Sequence, residues 1–286
     1  MVARTSCSIG LIVNTYNQPD YLQRVLRSIS AQAVLPDEVL IADDGSKEKT
    51  REVIDAWKAA NRVACRHMWQ PDEGFQRARI LNESIAHATA DYLVFLDGDT
   101  VAHPDFIRDH RDAARLGHFV QGHRCFVERR AADQFGQNDF RRDRLAAFVR
   151  GQISGLRNAF RWPRPLLRVR NDVKGVRGCN LAIWHRDLVA VNGYNEAFVG
   201  WGREDTELTV RLLNRGLNRV DLRGRALCFH LWHPPANRSQ LSRNDCLLAQ
   251  AKAERAKWCP RGLDQHSAGA ELMNSLRSAA LAVGTK

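Results

Sequence analysis

Three short groups of residues in this 286-residue chain have side chains whose type and spacing suit chemistry. Asp97-Gly98-Asp99 sets two carboxylates one residue apart, a spacing that can chelate a hard divalent cation, and the glycine permits a turn that points both acids outward. His230-Leu231-Trp232-His233 places two imidazoles three residues apart, where both could face one Mn²⁺-like ion. Gly200-Trp201-Gly202-Arg203 is followed by three carboxylates in four residues, Glu204, Asp205 and Glu207. Each group also has a plain structural explanation. The first could be solvated turn acids, and the second half-buried histidines packed beside Trp232 and Pro234. The third could be acids favoured at a helix start by the macrodipole, worth roughly 0.3–1 kcal/mol. Against that last reading, glycines flanking a single aromatic suit a wall that something must approach closely, so Trp201 and Gly202 are candidate substrate contacts.

These groups need elements to position them. Residues 7–17 are apolar and then abruptly polar, a buried strand ending in a loop. Residues 20–32 put Leu22, Val25, Leu26 and Ile29 on one helical face. Strands at 37–46, 63–69 and 91–100 then alternate with helices at 49–61 and 77–90. Such alternation predicts an α/β fold with a mostly parallel sheet covered by helices on both faces. Ligands in such sheets bind just past the carboxyl ends of the strands. Those ends read Asn14-Thr15-Tyr16-Asn17, Asp43-Asp44-Gly45 and Asp97-Gly98-Asp99. Their convergence marks a candidate active site without reference to any family. After residue 105 the pattern loosens. Residues 139–165 set Leu145, Phe148, Val149, Ile153, Leu156 and Phe160 on one helical face. A helix with Leu208, Leu212 and Leu213 runs to Gly216, a strand at 225–235 leads into the two-histidine turn, and a polar helical tail follows.

Composition narrows the class. The chain is 44% hydrophobic and 26% charged, which is globular rather than disordered. No apolar run reaches the roughly 18 to 20 residues that span a bilayer. The short apolar run near the start leads into patterned sequence and reads as a strand rather than a signal peptide. The expected location is cytoplasmic, at most peripheral on the inner face of a membrane. Seven scattered cysteines with no C-x-x-C pair read as reduced thiols without a zinc knuckle. The net charge of +11 is uneven: from Arg141 to Arg177 there are eleven Lys/Arg against two acids. A polyanion binder would use those arginines, but no nucleic-acid motif accompanies them, and none of that class explains the ordered acidic groups. The basic segment 139–165 reads either as a domain helix with a solvated arginine face or as a peripheral contact with an anionic membrane.

Taken together and in order, these stretches resemble a known family. "VNTYNQPDYLQRVLRSISAQ", "VLIADDGSKEKT", "GFQRARILNESI" and "FLDGDT" are similar to family 2 glycosyltransferases of the GT-A fold. "GCNLAIWHRDLVAVNGYNEAFVGWGREDTELTVRLLNRG" and "FHLWHP" resemble the catalytic region shared by bacterial chondroitin-polymerase-type enzymes and β-1,4-galactosyltransferases. The likeness covers roughly 7–105 and 175–235. It implies a nucleotide-sugar-binding half (1–105), an acceptor-binding and catalytic half of the same domain (106–240) and a helical tail (241–286). The implied activity is inverting transfer of a hexose from a UDP-sugar to a saccharide or lipid-linked acceptor with Mn²⁺ or Mg²⁺, as in cell-surface polysaccharide or lipopolysaccharide assembly.

By position, the resemblance places Asn14, Thr15 and Tyr16 beside the nucleotide and Asp44 on the uracil. Arg77 or Arg79 would reach the nucleotide or phosphates, and Asp97 would lie near the ribose or metal. Asp99 and His233 would be metal ligands, with His230 a second, softer one. Asp205 would be the base, Glu204 would orient the acceptor, and Trp201 would line its site. A nucleotidyltransferase or a non-catalytic nucleotide-sugar binder could use the same strand ends, but neither needs the Glu204-Asp205 helix.

Overall fold

Successive residues of a strand face opposite sides of its sheet, so an apolar run can be buried only if both sides are covered. The computed structural model describes residues 7–137, 140–155, 158–163 and 165–272 and has that arrangement. β1 (Ile9–Thr15), α1 (Pro19–Ser30), β2 (Glu38–Asp43), α2 (Glu48–Ala60), β3 (Ala64–Trp69), α3 (Arg77–His87) and β4 (Tyr92–Asp97) come first. Then follow β5 (Thr100–Ala102), α4 (Phe106–Ala113), β6 (His118–Gln121), β7 (Arg124–Val127), α5 (Arg129–Ala132), α6 (Phe140–Val149), β8 (Ile153–Ser154) and β9 (Leu166–Arg170). The last elements are β10 (Leu181–Trp184), α7 (His185–Ala190), α8 (Glu204–Asn214), β11 (Asn218–Arg223), β12 (Cys228–Leu231) and α9 (Leu241–Ala253).

The main sheet has the order β3-β2-β1-β4-β10-β6-β11-β9. β1 runs parallel to β2 and β4, and β6 parallel to β11, as the alternation predicts. Leu11, Val13, Val39, Ile41, Val94 and Leu96 pack toward α1, α2 and α4. Their neighbours Ile12, Leu40, Leu93 and Phe95 pack toward α3, α7 and α8. The exception to the parallel run matters most for the site. β10 is antiparallel to both β4 and β6, with Leu181 opposite Phe95. Its amino end, the turn Gly178–Asn180, therefore lies at the carboxyl end of β4.

A second sheet, β5-β12-β7-β8, stands beside the first. It was not legible as a sheet in the sequence, because β5 has three residues and β8 two. The single helix expected over 139–165 is also corrected. α6 ends at Val149, and Gly151 and Gly155 adopt left-handed backbone (φ 65° and 77°) around β8. Of the residues set on one helical face, Ile153 is buried in the core of the second sheet, whereas Leu145, Phe148, Val149 and Phe160 are exposed. Leu156 lies outside the described residues. Among the described residues no helix is long and apolar enough to cross a membrane.

One clamp ties the sheet's helical cover to the site. Asn82 of α3 bonds both backbone groups of Tyr194, donating to its carbonyl (2.8 Å) and accepting from its N–H (2.7 Å). His266 bridges Glu83 of α3 (2.6 Å) and Glu196 (2.7 Å). Burial lowers the His266 pKa, but the bonds to Glu196 and Glu83 outweigh it and hold the imidazole above its ordinary value. A raised histidine contributes stability that is complete below the unfolded value of about 6.5 and is lost as pH rises through the folded pKa. The denaturant midpoint should therefore fall as pH rises from the unfolded value through the raised folded pKa, and His266→Gln should flatten that slope. An unchanged slope in the variant would contradict the clamp.

Candidate active site

The site is built where β1, β4 and the start of α8 meet. Arg77, at the start of α3, is buried, and its guanidinium donates to four partners. Nε bonds Asn14 Oδ1 (3.0 Å), Nη2 bonds Asp97 Oδ1 (3.2 Å), and Nη1 bonds both Glu204 Oε1 (3.2 Å) and Asp205 Oδ1 (3.1 Å). Burial alone would lower the Arg77 pKa, but Asp205 and Asp97 drive it well above the usual value, so the side chain stays charged. One cation thus offsets part of the repulsion among three carboxylates. Burial, then Asp205, push the Glu204 carboxyl up to about 7 against the pull of Arg77. Burial likewise raises Asp97, with Arg77 opposing.

The two acids at the start of α8 are not equivalent. Asp205 Oδ2 accepts the Gly178 N–H (2.7 Å), and Oδ1 accepts from Arg77 and from the Tyr194 hydroxyl (3.3 Å). Its side chain is 18% exposed, that of Glu204 10%. Asp205 therefore reaches solvent with one oxygen only singly bonded, while Glu204 Oε2 is buried with no partner. The third acid is structural: Glu207 pairs with the fully buried Arg211 (2.6 Å), which also donates to the Gly193 carbonyl (2.8 Å). The macrodipole explanation of these acids holds alongside any chemical role, since Glu204, Asp205 and Glu207 all lie in the first turn of α8. The residue before α8 is Arg203, in left-handed backbone (φ 82°), and no side chain caps the helix.

The histidine pair meets Asp99 through strand register. β12 runs antiparallel to β5 with His230 opposite Thr100, and the Leu231 N–H donates to the Asp99 carbonyl (2.8 Å). His233 Nε2 then lies 3.0 Å, and His230 Nε2 3.6 Å, from the Asp99 carboxylate. One ligand atom from each of Asp99, His230 and His233 lies within 4.8 Å of the others. His233 Nδ1 is 2.7 Å from the Pro234 carbonyl, a contact that requires a proton on Nδ1. The hydrogen bond between Nε2 and Asp99 holds the His233 pKa above its ordinary value against burial, and a cation shared by the two groups would take the place of the proton between them. One oxygen and two imidazole nitrogens suit Mn²⁺ better than Mg²⁺, which prefers oxygen. Gly98 makes the turn possible: a Cβ there would stand 2.9 Å from the Asn14 carbonyl oxygen.

Other sequence-predicted residues lie at the edges. Thr15 ends β1 with its buried hydroxyl unpartnered. Tyr16 is exposed and donates to Asp72 (2.9 Å). Asp44 is buried, accepting from Gln70 (2.5 Å) and the Gln76 N–H (2.9 Å), and burial pushes its carboxyl up to about 6. Arg79 points away from the carboxylates, toward Glu73 (3.2 Å). Trp201 is exposed with the Arg238 guanidinium 4.7 Å over its ring, and Gly202 follows in left-handed backbone. Three site residues carried no sequence signal of their own: Gly178, Tyr194 and Arg124. Arg124 is partly buried beside Cys179 (3.2 Å) and Phe126, close enough to Asp97 and His230 to influence both. Among the described residues it has no carboxylate at ion-pair distance. Its position follows from β7 pairing with β12, Arg124 opposite Cys228, which no local pattern encodes.

Comparison with known proteins adds a family and a fold. The model of glycosyl transferase family 2 matches residues 11–168, just over half of the chain, and that of the N-terminal domain of galactosyltransferase matches 159–233. Validoxylamine A glucosyltransferase from Streptomyces hygroscopicus subsp. limoneus is 27% identical over 236 residues, covering 73% of this chain and 48% of that protein. Chondroitin synthase from Escherichia coli is 23% identical over 251 residues, covering 82% of this chain and 36% of that protein. The chain thus spans about half, or less, of the length of these curated relatives. The solved mannosyltransferase PcManGT from Pyrobaculum calidifontis, in complex with GDP-Man and Mn²⁺, shares the fold. Its TM-score is 0.55 at 16% identity, over 99% of this chain and 82% of that one.

The Asp205 contact predicts an intolerant position. A Cβ on Gly178 would stand 2.4 Å from Asp205 Oδ1 and 2.5 Å from Arg77 Nη2. Both neighbours are held on other sides, so Gly178→Ala should cost about 1–3 kcal/mol as overpacking. A urea midpoint equal to that of the parent would contradict this packing.

Proposed function

The chain belongs to glycosyl transferase family 2, and on that premise we propose that it moves a hexose from a UDP-sugar to a hydroxyl of a saccharide or lipid-linked acceptor, with inversion and with Mn²⁺ or Mg²⁺. The observation that carries the reading is the Arg77 bridge. It joins Asp97, two residues from the candidate metal ligand Asp99, to Asp205 at the start of α8. A donor-side group and a candidate base are thereby fixed in one rigid unit.

In this reading Asp205 takes the proton of the acceptor hydroxyl as that oxygen attacks the anomeric carbon. The new carbon–oxygen bond forms on the face opposite the diphosphate. The bond from that carbon to the diphosphate breaks, and UDP leaves with its electron pair. Gly178 N–H, Tyr194 and Arg77 hold Asp205 in place, so little reorganisation accompanies the transfer. Glu204, beside Asp205 on α8, would orient the acceptor. Asp99, His233 and His230 would hold the cation, and the chemistry that such a cation supplies is neutralisation of charge on the diphosphate. Arg124, with no carboxylate partner among the described residues, would add the chain's own positive charge there. The UDP assignment rests on the strand-end resemblance at Asp44, and cell-surface polysaccharide or lipopolysaccharide assembly rests on resemblance alone.

Nucleotide release from a panel of UDP-hexoses and GDP-mannose, with Mn²⁺ and mixed acceptors, tests the donor. Preference for GDP-mannose would overturn the UDP assignment. Asp205→Asn should slow transfer by roughly 10²–10⁴-fold, the usual worth of a general base, with UDP affinity nearly unchanged. Near-parental turnover would remove Asp205 from the role. Asp99→Ala should abolish the Mn²⁺-dependent part of UDP affinity in titration calorimetry. The same affinity with and without Mn²⁺ in the parent would sink the metal set.

A further inference from the structure

A cavity of about 570 Å³ is walled by the loop at 173–177, the start of α8 and one face of α9, and the chain neighbours of Gly178 and Asp205, though not those two residues themselves, line it. Its position follows from the backbone. Arg177 immediately precedes Gly178, whose N–H holds Asp205, and Thr206 immediately follows Asp205. Such a volume suits a small ligand or a short saccharide. Its charge is one-sided. Lys174, Arg177, Arg203 and Lys252 line it against a single acid, Asp245. Arg203 pairs with Asp245 (2.5 Å), and Lys174, Arg177 and Lys252 have no side-chain ion pair among the described residues. Like charges gathered around one concavity repel, and an anion placed among them relieves that repulsion.

Backbone conformation adds an independent sign. Arg203 is a non-glycine residue in the left-handed region, directly after Gly202 at φ 104°. Strain of this kind persists where surrounding structure enforces it, and it gathers at ligand sites. Here it sets the Arg203 guanidinium on the cavity wall one residue before the Glu204-Asp205 pair.

We propose that this cavity binds an oxyanion carried by the acceptor, a carboxylate or a phosphate, so that the acceptor is an acidic or phosphorylated saccharide. The inference rests on the transfer reading above and specifies its acceptor class. A nearby apolar lining, Val173 and Leu248 among it, would take the less polar face of a sugar ring while the cations hold the anion.

The test is titration of glucuronate, glucose 6-phosphate and glucose into the parent protein and into a Lys174→Glu/Lys252→Glu double variant, all with saturating UDP and Mn²⁺ to fill the donor side. At least one anionic sugar should bind the parent, glucose should not, and the double variant should weaken the anionic sugar roughly tenfold or more, the scale of one or two charge-assisted contacts. Tighter binding of glucuronate assigns the anion as a carboxylate, and tighter binding of glucose 6-phosphate as a phosphate. Glucose binding as tightly as both, no binding by either anionic sugar, or an unweakened double variant overturns the proposal. UDP affinity in the same titrations reports separately on the transfer reading: a parent that fails to bind UDP defeats that reading, whatever the sugars do.

Discussion

Three carboxylates converge on one buried guanidinium, and the arrangement of the site depends on that charge. Asp97 arrives from the end of β4, and Glu204 and Asp205 from the start of α8. Without a cation between them, burying these acids together would favour protonation or separation. Arg77 can reach all three because it stands at the start of α3, next to the polar ends of β1 and β4. Its fourth contact, to Asn14, fixes the guanidinium plane against β1. Burial, and then the neighbouring Asp205, still raise the Glu204 carboxyl to about 7 against the pull of Arg77. Asp205 is distinguished from Glu204 by the backbone N–H of Gly178 and by greater exposure. Environment, rather than residue type, separates the two neighbouring acids.

A second constraint is register. The candidate cation ligands come from segments about 130 positions apart, which the pairing of β5 with β12 brings together. His230 sits opposite Thr100, so a slip of one residue would turn His230 to the other face of the small sheet. The antiparallel insertion of β10 does comparable work beside Asp205, since it returns the Gly178–Asn180 turn to the end of β4. The two halves of the chain are consequently joined by both sheets, by the Asn82 and His266 clamp and by the Arg77 guanidinium.

Much of the first half was legible in the sequence because each βα unit writes its own local pattern. Leu22, Val25, Leu26 and Ile29 give the face of α1, and polar strand ends mark where the chain turns outward. The family and its GT-A fold were legible from ordered motifs. Other features depend on tertiary pairing and were not. Gly178 is one glycine among nineteen, and its importance comes from the direction of β10. Arg124 is one of many basic residues until β7 pairs with β12. The apolar spacing over 139–165 reads as one helix, yet Gly151 and Gly155 divide it and send Ile153 into a different core. The resemblance points Arg77 or Arg79 toward the nucleotide or phosphates. In the fold the Arg77 guanidinium is engaged by acids from both halves, and Arg79 faces Glu73.

The central claim is a single displacement at the sugar, with Asp205 opposite the departing diphosphate. The stereochemistry of the first product tests it without knowledge of the natural acceptor, because water can replace the acceptor hydroxyl at the same base. Proton NMR of the sugar released from an α-linked UDP-hexose, followed before the anomers equilibrate, reads the configuration directly. The account predicts that the β anomer forms first. Initial release of the α anomer would contradict it.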